Sequence, residues 1–405
     1  MPPIQAAGVL DDADVAEIVF RKTGSWLESP TWILEKISTT NGFMGTYYRL
    51  SVTWTTNLSF FVKTLPPEGP QREFIRQNKI FSKEIIMYDE ILPKIGNTEP
   101  SKWAPDCYLL KQNVIVMEDL TCQAFSTLNK HLDFDFPTFE CLFNCFAKLH
   151  SRSLIFGEQR KVSLLESWTE PLKENLFRES GRSMMYQVSA LKGICCLIDL
   201  VLPPEARQKT KDKVLHWAGG ILKALEPSKK HRNVICHRDV WSANFMFKKL
   251  EDKLVDCRLI DFQYYSYVNP AIDLVVAMYL NTSRVIRDKH FDQLVKGYYK
   301  DIGKFLKEEG LDVDDVLPWD SFRASCIEAR PWGMMYNLFG LQMTLLDDQA
   351  CKQLAESSEF MEDVIYGEKR DQFVSIQFQR NKLFRDKFTE NIWEIFECLP
   401  EQIPL

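Results

Sequence analysis

The chain has 405 residues, 45% of them hydrophobic and 26% charged, with a formal net charge of −6 at pH 7. These are the values of a globular protein and exclude fibrous and disordered classes, while the length predicts two lobes or domains rather than one core. The acidic balance argues against a nucleic-acid-binding surface over the whole molecule and leaves room only for a local basic groove, so no nucleic-acid partner is predicted.

The start of the chain shows no secretory pattern. Such a signal needs a basic start and an apolar core, whereas Asp11, Asp12 and Asp14 follow soon after Met1. The longest apolar stretch, residues 332–346, is shorter than the ~20 residues of a spanning helix, which predicts a buried helix and no membrane span. The eleven cysteines are scattered and odd in number, which favours reduced thiols and a cytoplasmic protein.

The N-terminal part of the sequence is rich in strand patterns. Residues 47–54 and 58–65 are β-branched and aromatic runs that predict an antiparallel pair. Residues 72–92 follow with helical periodicity, and Pro93 is expected to end this helix. Residues 114–117 predict a further short strand.

After Leu120 the pattern becomes helical. Residues 139–149 mark one helix, and residues 234–262 form the one strand-like island. The longer helical patterns occupy residues 183–200, 206–225, 273–305 and most of 332–396. The predicted fold class is therefore α+β.

Two domains follow from this change of pattern. Residues 1–118 are predicted to form a small β-rich part, preceded by an N-terminal helix. Residues 119–405 are predicted to form a larger, mainly helical part.

The island 234–262 carries the residues that predict a reaction. His237 and Asp239 follow an apolar run, Asn244 lies five positions after Asp239, and a second short strand ends at Asp261. A single aspartate at a strand end is most often a turn or helix cap. The joint pattern His-x-Asp-x4-Asn, followed by a strand and Asp-Phe, is much rarer and favours a functional role.

The two strands of the island are expected to form a hairpin. Residues 244–247 would pair with 257–260 across a polar loop at 248–256. Asn244 and Asp261 would then lie at the same end of the hairpin, near the catalytic loop.

Phosphoryl transfer requires such a cluster. Mg²⁺ must bridge the phosphates, and it prefers carboxylate and amide oxygens, which fits Asp261 and Asn244 as metal ligands. A separate carboxylate must orient and deprotonate the attacking hydroxyl, which fits Asp239. His237 is interpreted as a structural imidazole that pins the loop.

These motifs resemble a known family. Residues 237–244 read His-Arg-Asp-Val-Trp-Ser-Ala-Asn, and with residues 259–263 and Pro270-x-x-Asp273 they are similar to the ecdysteroid-kinase-like (CHK kinase-like) family. That family belongs to the protein-kinase-like superfamily and is related to choline kinases and aminoglycoside phosphotransferases, so the resemblance implies a two-lobed protein-kinase-like fold. The usual family loop reads His-Gly-Asp-Leu-Trp-Ser-x-Asn. Arg238 and Val240 depart from it, and neither is expected to harm the chemistry.

Two features argue for a small-molecule acceptor rather than a protein. Trp241 stands where protein Ser/Thr kinases carry a lysine, two positions after the catalytic aspartate. Only residues 262–269 separate Asp261 from Pro270, so no peptide-docking platform fits there. Asp273, in the helix that follows, is expected to brace the catalytic loop.

The N-terminal part must then supply an ATP clamp. Lys63 in an apolar strand and Glu84 on the inward stripe of its helix are expected to pair, and they match the superfamily's phosphate-binding lysine and its helix glutamate. Gly42 and Gly45 are expected to let backbone amides approach the phosphates. By itself, a Gly-x-x-Gly turn is most often an ordinary hairpin loop.

Residues 114–120 resemble the strand that enters the interlobe hinge in this superfamily. Backbone groups from Glu118 to Leu120 would bind the adenine edge. His150, in a Leu-His pair at a helix end common in the superfamily, is interpreted as structural.

The leading hypothesis is a MgATP-dependent kinase whose partner is a small hydroxylated molecule. The resemblance implies an ecdysteroid or another lipophilic alcohol, such as a xenobiotic metabolite. Two alternatives stay open: a choline- or aminoglycoside-type kinase with a cationic acceptor, and a catalytically inactive ATP-binding scaffold. The aromatic residues expected to line the acceptor pocket are Trp241, Tyr264, Tyr265, Trp332 and Tyr336.

Overall fold

The computed structural model describes residues 8–27, 29, 31–37 and 44–398. In chain order its first elements are helix α1 (Asp12–Thr23), strands β1 (Thr31–Lys36), β2 (Thr46–Thr53) and β3 (Leu58–Thr64), helices α2 (Pro70–Gln77), α3 (Ile80–Ile86) and α4 (Leu92–Ile95), strands β4 (Cys107–Lys111), β5 (Val114–Glu118) and β6 (Phe125–Ser126), and helices α5 (Phe136–Arg160), α6 (Leu164–Ser167), α7 (Gly181–Val201) and α8 (Pro204–Ala224). Strands β7 (Val234–Cys236), β8 (Phe245–Leu250), β9 (Lys253–Leu259) and β10 (Ser266–Val268) follow. The last helices are α9 (Ala271–Asn281), α10 (Arg284–Glu308), α11 (Val313–Val316), α12 (Trp319–Glu328), α13 (Arg330–Thr344), α14 (Asp348–Glu356), α15 (Ser358–Ile365), α16 (Arg370–Arg380) and α17 (Lys382–Glu397).

The chain divides into two units. The first consists of Met1–Thr127 and Met246–Gln263, and the second of Leu128–Phe245 and Tyr264–Leu405. The strands β8 and β9 thus group with the N-terminal sheet, although they lie far from it in sequence. The domain boundary predicted between residues 118 and 119 stays a prediction.

The first unit is built on a five-stranded antiparallel sheet in the order β1-β2-β3-β5-β4. The strand pair predicted at 47–54 and 58–65 is confirmed as β2 and β3, with Tyr47 opposite Lys63 and Val52 opposite Leu58. Helix α1 buries Val15 and other apolar residues in the same core. Since β3 lies between β2 and β5, its side chains are enclosed in the middle of the sheet.

The single helix predicted over 72–92, ending at Pro93, is wrong in two respects. Asn78 caps α2 with its amide side chain on the Phe74 carbonyl, and Lys79 has φ 54, a left-handed conformation that interrupts the helix. After α3 the chain forms a π-helical turn over Met87–Ile91 and then enters α4. Pro93 lies inside α4, in its first turn, where its fixed φ suits the helix.

The second unit is helical. The patterns predicted at 183–200 and 206–225 are confirmed as α7 and α8, whereas 273–305 forms two helices because the backbone turns extended at Thr282 and Ser283. Helix α9 is buried along nearly its whole length, so it lies at the centre of this unit. Strand β10, which precedes α9 in the chain, forms a short antiparallel pair with β7.

Among the residues that the structure describes, α7 is long and apolar enough to cross a bilayer. Length and composition are weak evidence, since the core helix of a folded unit meets the same test. Helix α7 is joined to neighbouring segments by polar contacts, because Gln342 donates to the Ala190 carbonyl and Ser189 donates to the Val364 carbonyl. The apolar stretch 332–346, predicted to be a buried helix, is largely the buried helix α13.

Candidate active site

Lys63 is enclosed in the central strand of the first unit. Its side chain is 3% exposed, and its ammonium Nζ donates to Glu84 Oε2 at 2.6 Å and to Asp261 Oδ1 at 2.5 Å. Burial alone would lower the pKa of Lys63, but the carboxylates of Asp261 and Glu84 outweigh burial and raise it above its usual range. The lysine is therefore a fixed positive charge.

Glu84 lies on the inward face of α3, as its position on the apolar stripe predicts. The residue is fully buried. Burial raises the pKa of Glu84 to about 7, although the ammonium of Lys63 acts in the opposite direction. The predicted pairing of these two residues is thus present in the first unit.

Asp261 follows β9 and has φ 67, in the left-handed region. Its side chain is 21% exposed, so one carboxylate oxygen reaches Lys63 while the group retains contact with solvent. The next residue, Phe262, is buried and packs edge-on against Tyr88 and Trp103. This packing fixes the backbone from which Asp261 extends.

The predicted glycine loop is described only in part. Gly42 lies outside the described residues. Gly45 is placed directly beside Lys63: a Cβ there would lie 3.1 Å from the Thr64 carbonyl oxygen and 3.4 Å from Lys63 Cγ. The backbone therefore approaches the lysine more closely than a side chain at this position would allow.

The predicted adenine-binding segment lies at the end of β5. The Glu118 side chain accepts from Lys102 Nζ at 2.8 Å, and its backbone N–H donates to the Asp106 carbonyl. Leu120 opens a short 3₁₀ turn whose preceding residue, Asp119, caps it. Because the Glu118 N–H is engaged within the unit, this amide is not a donor for a nucleotide. The use of Glu118 and Leu120 for adenine stays a prediction.

The catalytic loop lies in the second unit, between β7 and β8. Asn244 is buried and its amide Nδ2 donates to the backbone carbonyl of Asp239 at 2.9 Å. The backbone N–H of Asp239 donates to Nδ1 of the buried His237 at 3.3 Å. The imidazole thus pins the loop, the role predicted for it.

Asp273 braces this loop from α9. Its two carboxylate oxygens accept the backbone N–H groups of His237 at 2.6 Å and of Arg238 at 2.9 Å, and the ring of His150 contacts it at 3.2 Å. Burial opposes its charge, but the hydrogen bonds from His150 and from the Arg238 amide hold the pKa of Asp273 below its usual range. The loop is therefore fixed by a buried carboxylate.

A buried cluster of His150, Cys236 and Asp273 has side chains of metal-ligating type within 4.8 Å of one another. Each of them is engaged in hydrogen bonding. His150 Nδ1 contacts the Tyr298 hydroxyl at 2.8 Å, and Cys236 Sγ donates to the carbonyl of Asn269. The cluster is a hydrogen-bonded support for the loop, and the structural role predicted for His150 agrees with these contacts.

Arg238 has φ 73. Glycine adopts this conformation at no steric cost, whereas in a residue with a Cβ the conformation destabilises the folded state by roughly 1–2 kcal/mol. The guanidinium is buried and bonds to Glu174 at 3.0 Å. Sequence reasoning missed Glu174, because it lies 64 positions away in an irregular segment with no periodic pattern.

Of the aromatic residues expected to line an acceptor pocket, four are buried. Tyr336 donates its hydroxyl to the Arg238 carbonyl at 3.2 Å, and Trp332 packs against it. Burial, and secondarily the nearby charge of Asp239, raises the pKa of the Tyr336 hydroxyl well above its usual range. The members of this set that are buried are Tyr264, Tyr265, Trp332 and Tyr336.

The structure thus assembles the predicted residues into two sets. In the first unit, Lys63 forms ion pairs with Glu84 and Asp261. In the second unit, Asn244 is hydrogen-bonded to Asp239. The joint magnesium site of Asn244 and Asp261 stays a prediction.

The donor atoms present fit magnesium. Asn244 uses its amide nitrogen for the bond to Asp239, which leaves the amide oxygen as its ligand atom. Asp261 supplies a partly exposed carboxylate. Mg²⁺ takes carboxylate and amide oxygens together with water and phosphate oxygens, so this pair is chemically suited to it.

Solved structures were compared with the chain. An ethanolamine kinase from Plasmodium vivax is 13% identical, with 88% of this chain and 83% of that chain covered and a TM-score of 0.39. A choline/ethanolamine kinase family protein from Mesorhizobium loti is 13% identical, with 89% and 92% covered and a TM-score of 0.38. An aminoglycoside phosphotransferase from Streptomyces rimosus, solved with ADP and streptomycin, is 12% identical, with 76% and 92% covered and a TM-score of 0.33. No curated protein matches the chain significantly.

An antiparallel N-terminal sheet followed by a mainly helical C-terminal part is the architecture of the protein-kinase-like class, and the match of the chain to a kinase-like family model supports a small-molecule phosphotransferase. The predicted α+β, protein-kinase-like fold class is confirmed. Residues 39–311 match the family model described as the ecdysteroid kinase-like family, and the chain belongs to that family.

Proposed function

We propose that the protein transfers the γ-phosphoryl group of MgATP to a hydroxyl of a small lipophilic molecule, such as an ecdysteroid or a xenobiotic alcohol. One observation carries the proposal: a buried lysine is held between two carboxylates, Glu84 and Asp261. A buried ammonium with this support is suited to binding phosphate oxygens, since it is always charged and its position is fixed. A purely structural ion pair would not need a second carboxylate that is partly exposed to solvent.

In the proposed reaction, Lys63 holds the α- and β-phosphates. Asp261 and Asn244 would hold magnesium, which would supply positive charge to neutralise the phosphates when bound. Asp239 orients the acceptor hydroxyl and takes its proton. The hydroxyl oxygen forms a bond to the γ-phosphorus, the bond to the β–γ bridging oxygen breaks, and ADP leaves. Transfer is direct, with no phosphoenzyme.

Membership of the ecdysteroid kinase-like family supports a lipophilic alcohol as acceptor. A cationic acceptor of the choline or aminoglycoside type is the alternative within the same reaction. A catalytically inactive scaffold is disfavoured, because every charged group that the chemistry requires is present in the chain.

The acceptor class is tested by incubating the purified protein with γ-labelled ATP, Mg²⁺ and a panel of steroid alcohols, amino alcohols and sugar alcohols. Label on the steroid alcohols supports the proposal. Label on amino alcohols or aminoglycosides alone replaces the lipophilic acceptor by a cationic one. If no compound gains label although MgATP binds, the inactive scaffold becomes the better account.

The catalytic roles are tested by two substitutions. Asp239→Asn should lower turnover at least ~10³-fold while MgATP binding stays close to that of the wild type, because a base is lost but no phosphate contact. Asp261→Asn should abolish the magnesium-dependent part of the thermal shift caused by ATP. Asp292→Asn, at an exposed position on α10, is the matched control and should change neither quantity. Unchanged turnover in Asp239→Asn would remove this residue from the mechanism.

A further inference from the structure

The residue immediately before the proposed base has an unexpected environment. Arg238 has a left-handed backbone, φ 73, a conformation that favours glycine. Its side chain is 2% exposed, so a long cationic group is enclosed within the second unit instead of extending into solvent. A burial of this kind requires compensating contacts, since a buried charge without partners is costly.

Those contacts come from three separate segments. The guanidinium Nη2 donates to Glu174 Oε2 at 3.0 Å, and the guanidinium carbon lies 5.7 Å from the ring centre of Trp332 on α13. The backbone N–H of Arg238 donates to Asp273 on α9, and its carbonyl accepts from the Tyr336 hydroxyl on α13. The residue is therefore held at its amide, its carbonyl and its side chain.

Glu174 extends the connection to a further segment. Its second oxygen, Oε1, accepts the backbone N–H groups of Leu176 at 2.7 Å and of Phe177 at 3.1 Å. The ring of Phe177 packs edge-on against Trp332 at 5.6 Å, the same ring that lies beside Arg238. Arg238 and Glu174 thus connect residues 174–177, helix α13 and the catalytic loop through direct contacts.

We propose that Arg238 is a positioning residue for Asp239, and that it acts through its ion pair with Glu174; this inference rests on the proposed function. The pair fixes the side chain of Arg238, while Asp273 and Tyr336 fix its peptide groups. The direction in which the chain leaves residue 238, and so the placement of Asp239, is then set by groups in several elements.

The expected kinetic signature follows from this role. Removing the guanidinium leaves Asp239 chemically intact but less precisely placed, and a misplacement of about 1 Å costs as much as 10²-fold in rate. Arg238→Ala should therefore lower kcat ~10- to 100-fold while the KM for ATP changes less than ~2-fold, because the lysine that holds the phosphates is unaffected. Arg238→Lys, which keeps a cation within reach of Glu174, should recover part of the loss.

The experiment uses the 405-residue chain with six variants. Arg238→Ala, Glu174→Ala and the double variant form a cycle, in which the double variant should lose no more kcat than the worse single one, because the two residues act as one unit. Arg238→Gly separates the backbone from the side chain, and Arg238→Lys tests rescue. Arg380→Ala is the control: this arginine on α16 pairs with Asp347 at 2.7 Å, and among the residues that the structure describes neither partner forms an ion pair or hydrogen bond with the catalytic loop or α9.

Hydrogen–deuterium exchange of peptides covering residues 236–242 gives a second readout that needs no acceptor. Exchange should increase in Arg238→Ala and Glu174→Ala relative to both the wild type and Arg380→Ala. A kcat in Arg238→Ala or Arg238→Gly equal to that of Arg380→Ala, corrected for folded fraction, overturns the inference, as does unchanged loop exchange. If the wild type phosphorylates no compound, the proposed function fails, and the exchange data still decide whether Arg238 orders this loop.

Discussion

At the scale of single residues, the site in the first unit depends on one enclosed cation. Lys63 is bonded to two carboxylates, and no other residue type offers a fixed charge on a flexible stem with three donors. Gly45 lies next to this strand, because a Cβ at residue 45 would come within 3.1 Å of the Thr64 carbonyl oxygen and within 3.4 Å of Lys63 Cγ. A larger side chain there would therefore crowd the strand that carries the lysine.

Substitution of Gly45 should misplace this lysine. In Gly45→Ala the new Cβ would lie 3.1 Å from the Thr64 carbonyl and 3.4 Å from Lys63 Cγ, so one of them must shift. We expect the KM for ATP to rise by about 10-fold, and more for Gly45→Val, with a smaller effect on the unfolding midpoint. Gly219→Ala, on α8 in open space, is the control. Equal KM values in the Gly45 and Gly219 variants would contradict this role.

At the scale of elements, the hairpin β8–β9 differs from its predicted form. The strands extend to Leu250 and begin again at Lys253, so the nine-residue loop predicted at 248–256 is wrong. Only Glu251 and Asp252 form the turn, with φ 49 and φ 64. Polar residues such as Lys249 suggested a loop, but they lie at the turn end of the hairpin, where side chains on both faces are exposed or half-buried.

The left-handed backbone of Glu251 and Asp252 in this turn leads us to expect a stabilising substitution. Two consecutive left-handed residues are the geometry in which Asn-Gly is favoured, whereas Glu251 and Asp252 carry a steric cost. Replacing the pair by Asn-Gly should stabilise the protein by about 1 kcal/mol, measured as a higher urea midpoint with an unchanged slope. Asp252→Ala keeps the steric cost and should give no gain. A gain of equal size in that variant would show that the backbone conformation is not the cause.

At the scale of the whole molecule, the sequence predicts what depends on local pattern. The strand pair β2–β3 and the pairing of Lys63 with Glu84 follow from alternation, helical spacing and the cost of burying charge, whereas the bracing role of Asp273 was predicted from its place in the motif that resembles the family. Long-range partners do not follow from such patterns. Glu174 could not be assigned to Arg238, since neither residue carries a signal for the other.

The interruptions of the helix predicted at 72–92 could not be predicted from the apolar spacing of the sequence either. The left-handed Lys79 and the π-helical turn at Met87–Ile91 interrupt a sequence whose apolar spacing remains helical throughout. Apolar periodicity reports which face is buried, and this face is preserved when the helix is interrupted and resumes in nearly the same direction. That β8 and β9 group with the first unit cannot be read from local pattern either, because this grouping depends on tertiary packing.

The C-terminal helices lie beyond residue 311, where the family match ends, yet they belong to the core of the second unit. Glu394 on α17 accepts from the hydroxyl of Tyr279 on α9, and Asn391 donates to the Met334 carbonyl on α13. Helix α9 also carries Asp273, which holds the catalytic loop. A loss of packing at α17 should therefore also destabilise the catalytic loop.

Phe388→Ala tests this linkage. Phe388 is fully buried on α17, its ring 4.4 Å from that of Phe384, so its removal leaves a cavity and should lower the free energy of unfolding by about 3–5 kcal/mol. Ile376→Ala, on α16 and 52% exposed, should change it by less than about 0.5 kcal/mol. Because α17, α13 and α9 share one core, we expect hydrogen exchange to accelerate together in α17 and α9 of Phe388→Ala. Faster exchange in α17 alone would mean that the C-terminal helices open independently and that the catalytic loop does not depend on them.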